Sequence, residues 1–159
     1  MIIDKNTLLS GSYSSGTWTG DAVTTSDISE NVLDLGDTTF NTLRNMGQGK
    51  PLYLVILVKD AVTRGAGAAT VTFSLESDST ANLATSATVH WTSSAISKAN
   101  LTAGTVVARV ALPVENTYER YLGVRYTVSA TLDAGSFIAV IVDNPDAWVA
   151  VGDAMTIGA

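Results

Sequence analysis

The chain has 159 residues, enough for one domain that buries roughly two thirds of the surface its unfolded form would expose. With 46% hydrophobic and 15% charged residues it lies far from the core-poor chains that stay disordered, and nine basic against fifteen acidic residues, a net charge of -6, argue against nucleic acid or an anionic lipid surface as partner. The absence of cysteine removes disulfides, thiolate zinc sites, iron-sulfur clusters and cysteine nucleophiles together.

Residues 1–10 place Asp4 beside Lys5 and hold no apolar stretch of signal-peptide length, so no secretion signal is expected. Residues 1–30 are dominated by Ser, Thr and Gly and read as an extended arm, with a folded domain over residues 31–159. Residues 31–35 and 87–91 are short strand candidates. Residues 52–58 form the longest apolar run, about seven residues against the roughly 18 to 20 that a membrane-spanning helix needs. Within it, residues 53–58 are β-branched and aliphatic and follow the turn-like Gly47-Gln-Gly-Lys-Pro51, which predicts a central strand buried on both faces.

Ala69, Val71, Phe73 and Leu75 alternate with Thr70, Thr72 and Ser74, the period of an antiparallel strand with one solvated face. Residues 94–101 offer at most one short helical turn. Residues 105–112, ending at Pro113, and residues 121–128 read as strands, as do residues 136–142 after the turn Asp133-Ala-Gly135. Residues 147–159 are apolar for a terminus and suit either a last edge strand or a segment that packs on a partner. Six to eight short strands with almost no helix predict an all-β sandwich or jelly roll.

Catalytic chemistry has few candidates. A lone histidine, His90, permits a Ser-His-Asp arrangement only without the Gly-x-Ser-x-Gly elbow, and it defeats a His-rich metal site. Asp143-Asn-Pro-Asp146 has the oxygen ligands of a hard-cation loop but also the composition of a turn, and Glu76 with Asp78 reads as loop carboxylates rather than a general acid/base pair. Gly47-Gln-Gly49 lacks the remainder of a phosphate loop. Trp18, Trp91 and Trp148 would make a sugar platform only if brought together on one exposed face; singly they are core or interface anchors. Arg120 and Tyr121, in the segment Glu115-Asn-Thr-Tyr-Glu-Arg-Tyr121, either fix a loop through an arginine-carboxylate pair or belong to a protein-binding rim. The residues alone predict no enzyme, no cofactor and no metal.

Five segments run in order over most of the chain, to about residue 143: Met1-Ile-Ile-Asp-Lys5, Asn31-Val-Leu-Asp-Leu-Gly36, Gly47-Gln-Gly-Lys-Pro-Leu-Tyr-Leu-Val55, Val71-Thr-Phe-Ser-Leu-Glu-Ser-Asp78 and Glu119-Arg-Tyr-Leu-Gly-Val-Arg-Tyr126. The ordered set resembles the capsid cement, or decoration, proteins of tailed bacteriophages, in particular the Bordetella-phage-type cement protein family; from Asn144 onward there is no counterpart. The resemblance implies an antiparallel jelly roll without enzyme activity. Made in the bacterial cytoplasm, such a protein sits on the outer surface of the virion capsid, bound to a major capsid protein of the HK97 type, as a homo-oligomer, dimer or trimer, that bridges neighbouring capsomers.

The apolar arm residues Ile2, Ile3, Leu8 and Leu9, the loop pair Arg120 and Tyr121, and the tail residues Trp148, Val149, Val151 and Ile157 are the expected capsid or subunit contacts. Two other readings compete: a carbohydrate-binding jelly-roll module for host-surface adhesion, which needs two coplanar exposed aromatics near Asp or Asn, and a small hydrolase built around His90.

Overall fold

The computed structural model describes residues 7–36, 46–47, 49–84, 86–114 and 118–145. Among them the chain forms thirteen strands: β1 (Leu8–Ser10), β2 (Ser12–Ser14), β3 (Thr17–Thr19), β4 (Asp21–Ala22), β5 (Asp27–Ile28), β6 (Leu33–Asp34), β7 (Tyr53–Thr63), β8 (Thr70–Asp78), β9 (Thr88–Thr92), β10 (Ile96–Ser97), β11 (Val106–Ala111), β12 (Tyr121–Val128) and β13 (Ala134–Val142). Every strand pairing is antiparallel. The expected helical turn is one 3-10 turn, Lys98–Asn100, where the Ser97 hydroxyl accepts from the Ala99 N–H.

Two sheets carry the fold. The first has the order β1-β13-β7-β11, with β4 also on β13; the second has β10-β8-β12-β5, with β6 also on β12 and β9 on β8. Among the described residues β2 and β3 pair only with each other.

The period-two rule explains what lies between the sheets. Leu54, Ile56 and Val58 of β7 and Phe137, Ala139 and Ile141 of β13 point to one side, meeting Val71, Phe73 and Leu75 of β8 and Leu122, Val124 and Tyr126 of β12. Each such aliphatic side chain, fully buried, contributes roughly 1.5–3 kcal/mol of transfer free energy. At the centre Phe73 meets Tyr126 and Phe137 edge-on at 5.7 and 5.1 Å, while Tyr126 and Phe137 stack at 5.2 Å. These geometries suit the ring quadrupoles.

The alternate residues of the first sheet are buried too. Val55 and Leu57 of β7, Ile138, Val140 and Val142 of β13, and Leu8 of β1 form a second apolar cluster, against which Trp18 and Tyr53 pack. This is why residues 53–58 read as a continuous apolar run and not as an alternation. The second sheet differs: its other face carries Ser74, Glu76 and Arg125, joined by hydrogen bonds.

One expectation is corrected by the N-terminal stretch. Residues 7–30 are not an arm lying outside the core. β1 pairs with β13, β4 with β13 and β5 with β12, and Leu9 and Val23 are fully buried in the central core. Strands of two or three residues are too short to show a period, so a Ser/Thr/Gly-rich sequence conceals them. β8 also runs past residue 75 to Asp78, placing Glu76 and Asp78 within the strand and out of solvent.

Candidate functional site

The most chemistry-like cluster lies where β8 and β9 meet the segment before β12. Ser77 Oγ and His90 Nε2 are 2.7 Å apart, and the same hydroxyl oxygen accepts the Glu119 backbone N–H at 3.0 Å. The imidazole packs on the Tyr118 ring at 4.4 Å, and the Tyr118 hydroxyl donates to the Pro113 carbonyl at 2.7 Å. Burial lowers the His90 pKa from its ordinary value, opposed by the charge of Glu119, and burial pushes Tyr118 up to about 12. The ring is therefore neutral at physiological pH.

A serine beside a histidine has the outline of a nucleophile and base, but two features remove the chemistry. Ser77 is 0% exposed, so no substrate carbon reaches its oxygen. Among the described residues His90 Nδ1 is buried without a hydrogen-bond partner, so none of them serves as the orienting third group of a triad. Here the hydroxyl ties β8 to β9 and to residue 119.

The carboxylates are likewise committed. Glu76 accepts from Ser74 Oγ at 2.6 Å and from Arg125 Nε at 2.7 Å, and Arg125 also reaches the Leu83 carbonyl. Asp78 accepts from Ser79 Oγ and the Thr80 N–H at 3.1 Å each, and from the Ser86 N–H, closing the loop after β8. Asp143 pairs with Lys50 at 2.7 Å, which together with its hydrogen bond holds that exposed carboxyl below the usual range. Among the described residues no group of three His, Cys, Asp or Glu is placed to hold a metal ion.

Of the expected contact residues, Leu8 and Leu9 are buried, Leu8 in the outer cluster and Leu9 in the central core, so neither is presented to a partner. Their position on β1 decides this, since the two faces of that strand point into the two clusters. Arg120 forms a two-point pair with Asp34, Nε to Oδ1 at 3.0 Å and Nη2 to Oδ2 at 2.9 Å, with its guanidinium 5.0 Å from the centre of the Tyr121 ring. This joins β6 to the start of β12 and leaves both side chains partly exposed. Ile2, Ile3, Trp148, Val149, Val151 and Ile157 lie outside the described residues.

An exposed aromatic pair escaped the sequence reading. Across the β2-β3 hairpin, Tyr13 faces Trp18 with ring centres 4.9 Å apart and planes at 45°; Tyr13 is 58% exposed, while Trp18 also packs on the outer cluster. The signal was present: Ser15-Gly16 between Ser/Thr-rich flanks is a turn dipeptide, and both residues adopt positive φ, as a tight hairpin requires. The tilted rings do not form the coplanar platform a sugar face prefers, and Trp91 lies across the molecule, packed partly buried against the core.

A comparison with curated proteins finds no match. The Bbp16 family matches residues 18–141, well over half of the 159 residues and spanning β3 to most of β13. The chain belongs to the Bbp16 family.

Proposed function

We propose that this chain is a structural virion protein that attaches to the outside of a mature phage head and stabilises it by bridging major capsid protein subunits. The observation that carries the reading is the family match over residues 18–141, which overlaps four of the five segments that resemble phage cement proteins. The commitment of Ser77, His90, Glu76 and Asp78 to internal hydrogen bonds agrees with it, because a protein of this kind needs surfaces and not an active site.

The finer fold assignment that goes with this function is a jelly roll, and the strand order supports it. Setting aside the β2-β3 hairpin and taking β1 with β4 as the first strand, β5 with β6 as the second and β9 with β10 as the fifth leaves eight principal strands. First then pairs with eighth, second with seventh, third with sixth and fourth with fifth, as in one long hairpin. Rolling that hairpin brings β13 beside β7 and β12 beside β8, which makes the two interleaved sheets.

Stabilisation follows from linkage. A protein that binds only the expanded lattice shifts the head towards that state by mass action, and two or more weak contacts per oligomer reinforce each other because the second is effectively intramolecular. Co-sedimentation of the purified protein with empty mature heads and with unexpanded precursors tests the reading. Saturable binding to mature heads with little on precursors is expected; bare mature heads at saturating protein overturn it.

A further inference from the structure

We infer that the β2-β3 hairpin is a preformed docking element, with Tyr13 as its exposed anchor, and that its occupant is an uncharged, apolar-lined depression on the protein lattice of the head. The inference rests on the proposed function and names the surface that would carry it.

Three observations lead to it. Residues 7–20 contain no charged side chain in a chain of net charge -6, and Asp21 and Lys59 stand at the base of the hairpin, so its tip is suited to a partner without charge complementarity. The hairpin displays Tyr, Trp, Ser, Thr and Gly, the residue set that gives large contact area with little side-chain entropy to lose. Its base is also rigidly seated. A Cβ at Gly20 would lie 2.4 Å from Ser136 Oγ and 2.9 Å from Lys59 Cβ, and one at Gly11 would lie 2.7 Å from the Thr19 carbonyl oxygen. Only glycine permits this approach, and Trp18 on the outer cluster pins the hairpin from beneath.

Preorganisation matters because an isolated two-stranded hairpin is marginal in water, whereas this one is ordered before binding and loses little freedom when Tyr13 is engaged. Size selects the occupant. Eight residues, 12–19, are well short of the roughly 20–30 residues per side of an interface that stands alone, so this hairpin does not by itself hold two copies together in solution. A repeated lattice is different, since each molecule engages it at several points and a weak contact then counts.

The experiment measures binding of the full chain to mature heads for wild type, Tyr13→Ser, Tyr13→Asp and, on the other sheet, the exposed Val89→Ser, with thermal unfolding of each recorded. Both Tyr13 variants should unfold like wild type yet bind at least about tenfold more weakly, as loss of a buried aromatic anchor does. Val89→Ser should bind like wild type, and wild-type binding should change little between about 50 and 500 mM salt. Wild-type binding by Tyr13→Asp overturns the inference while leaving head attachment standing; absence of binding by wild type overturns the proposed function itself. A solution oligomer lost in Tyr13→Asp, or a Tyr13-dependent glycan ligand, also overturns the inference by giving the hairpin a different occupant.

Discussion

The Tyr126 hydroxyl donates a 2.7 Å hydrogen bond to Ser10 Oγ, across the interior from β12 in one sheet to β1 in the other. Ser10 in turn donates to Asp21 Oδ2 at 2.8 Å, and that oxygen also accepts the Glu30 N–H at 3.0 Å. One polar chain, buried at Tyr126 and Ser10 and reaching the surface at Glu30, thus ties Ser10, Asp21 and Glu30 to the centre of the core.

Tyr126→Phe and Ser10→Ala should differ in cost. Phenylalanine removes one donor and leaves Ser10 bonded to Asp21, which costs about 1 kcal/mol, whereas alanine at position 10 strands the Tyr126 hydroxyl in an apolar interior and costs about 1–3 kcal/mol. Urea denaturation of the two variants checks the order. Equal midpoints would show that the Tyr126 hydroxyl finds another partner.

Leu9→Ala should destabilise by about 2–5 kcal/mol, because it removes a fully buried side chain packed between the sheets. Deleting residues 1–10 removes β1, Leu9 and Ser10 together, so that truncation should lose its cooperative unfolding transition by circular dichroism. Retention of a wild-type melting curve would contradict the burial of this stretch.

Arg125→Met should cost about 3 kcal/mol or more, since Glu76 would keep its charge in a buried position with Ser74 as its remaining partner. The double variant Glu76→Gln with Arg125→Met should recover part of that loss, because the uncompensated charge is gone. A double-mutant cycle by chemical denaturation measures the coupling, and strictly additive costs would mean the pair is solvated.

Two groups give stability opposite slopes with pH. The His90 pKa is lowered, chiefly by burial, so the unfolded chain binds more protons between that lowered value and 6.5; stability is full above about 6.5 and falls as the pH drops through this window. His90→Phe should flatten that slope in denaturation midpoints taken across the window.

Burial raises the Asp21 pKa above 3.8, so the folded form binds more protons; its stabilising contribution is complete below 3.8 and is lost as pH rises through the raised value. Asp21→Asn keeps an acceptor oxygen for Ser10 and the Glu30 N–H without the half-buried charge. It should therefore be as stable as wild type or more so at neutral pH, with the difference vanishing in acid. Destabilisation at neutral pH would show that the ionised carboxylate is needed.

The long strands were legible because their side chains obey a simple rule. Val71, Phe73 and Leu75 alternate with hydroxyl residues, and the unbroken run from Tyr53 to Val58 reflects a strand with an apolar cluster on each side. The absence of cysteine and the solitary histidine likewise narrowed the chemistry before any coordinates. His90 illustrates where sequence stops: its neighbours Val89 and Trp91 suggest a strand, yet its partner Ser77 comes from β8, thirteen residues earlier, and only the strand register joins them.

Sequence alone determined that this chain builds an antiparallel β core without disulfide staples, because it has no cysteine and because period-two apolar spacing is a local property that each strand carries in itself. The tertiary structure alone decided the fate of residues 7–30. Leu8 and Leu9 are adjacent in sequence but enter different clusters, Ser10 is buried because Tyr126 and Asp21 satisfy it, and Tyr13 is raised to the surface because Trp18 fills the layer beneath. In strands of two or three residues no pattern is long enough to be read, so burial is set by distant partners and not by neighbours along the chain.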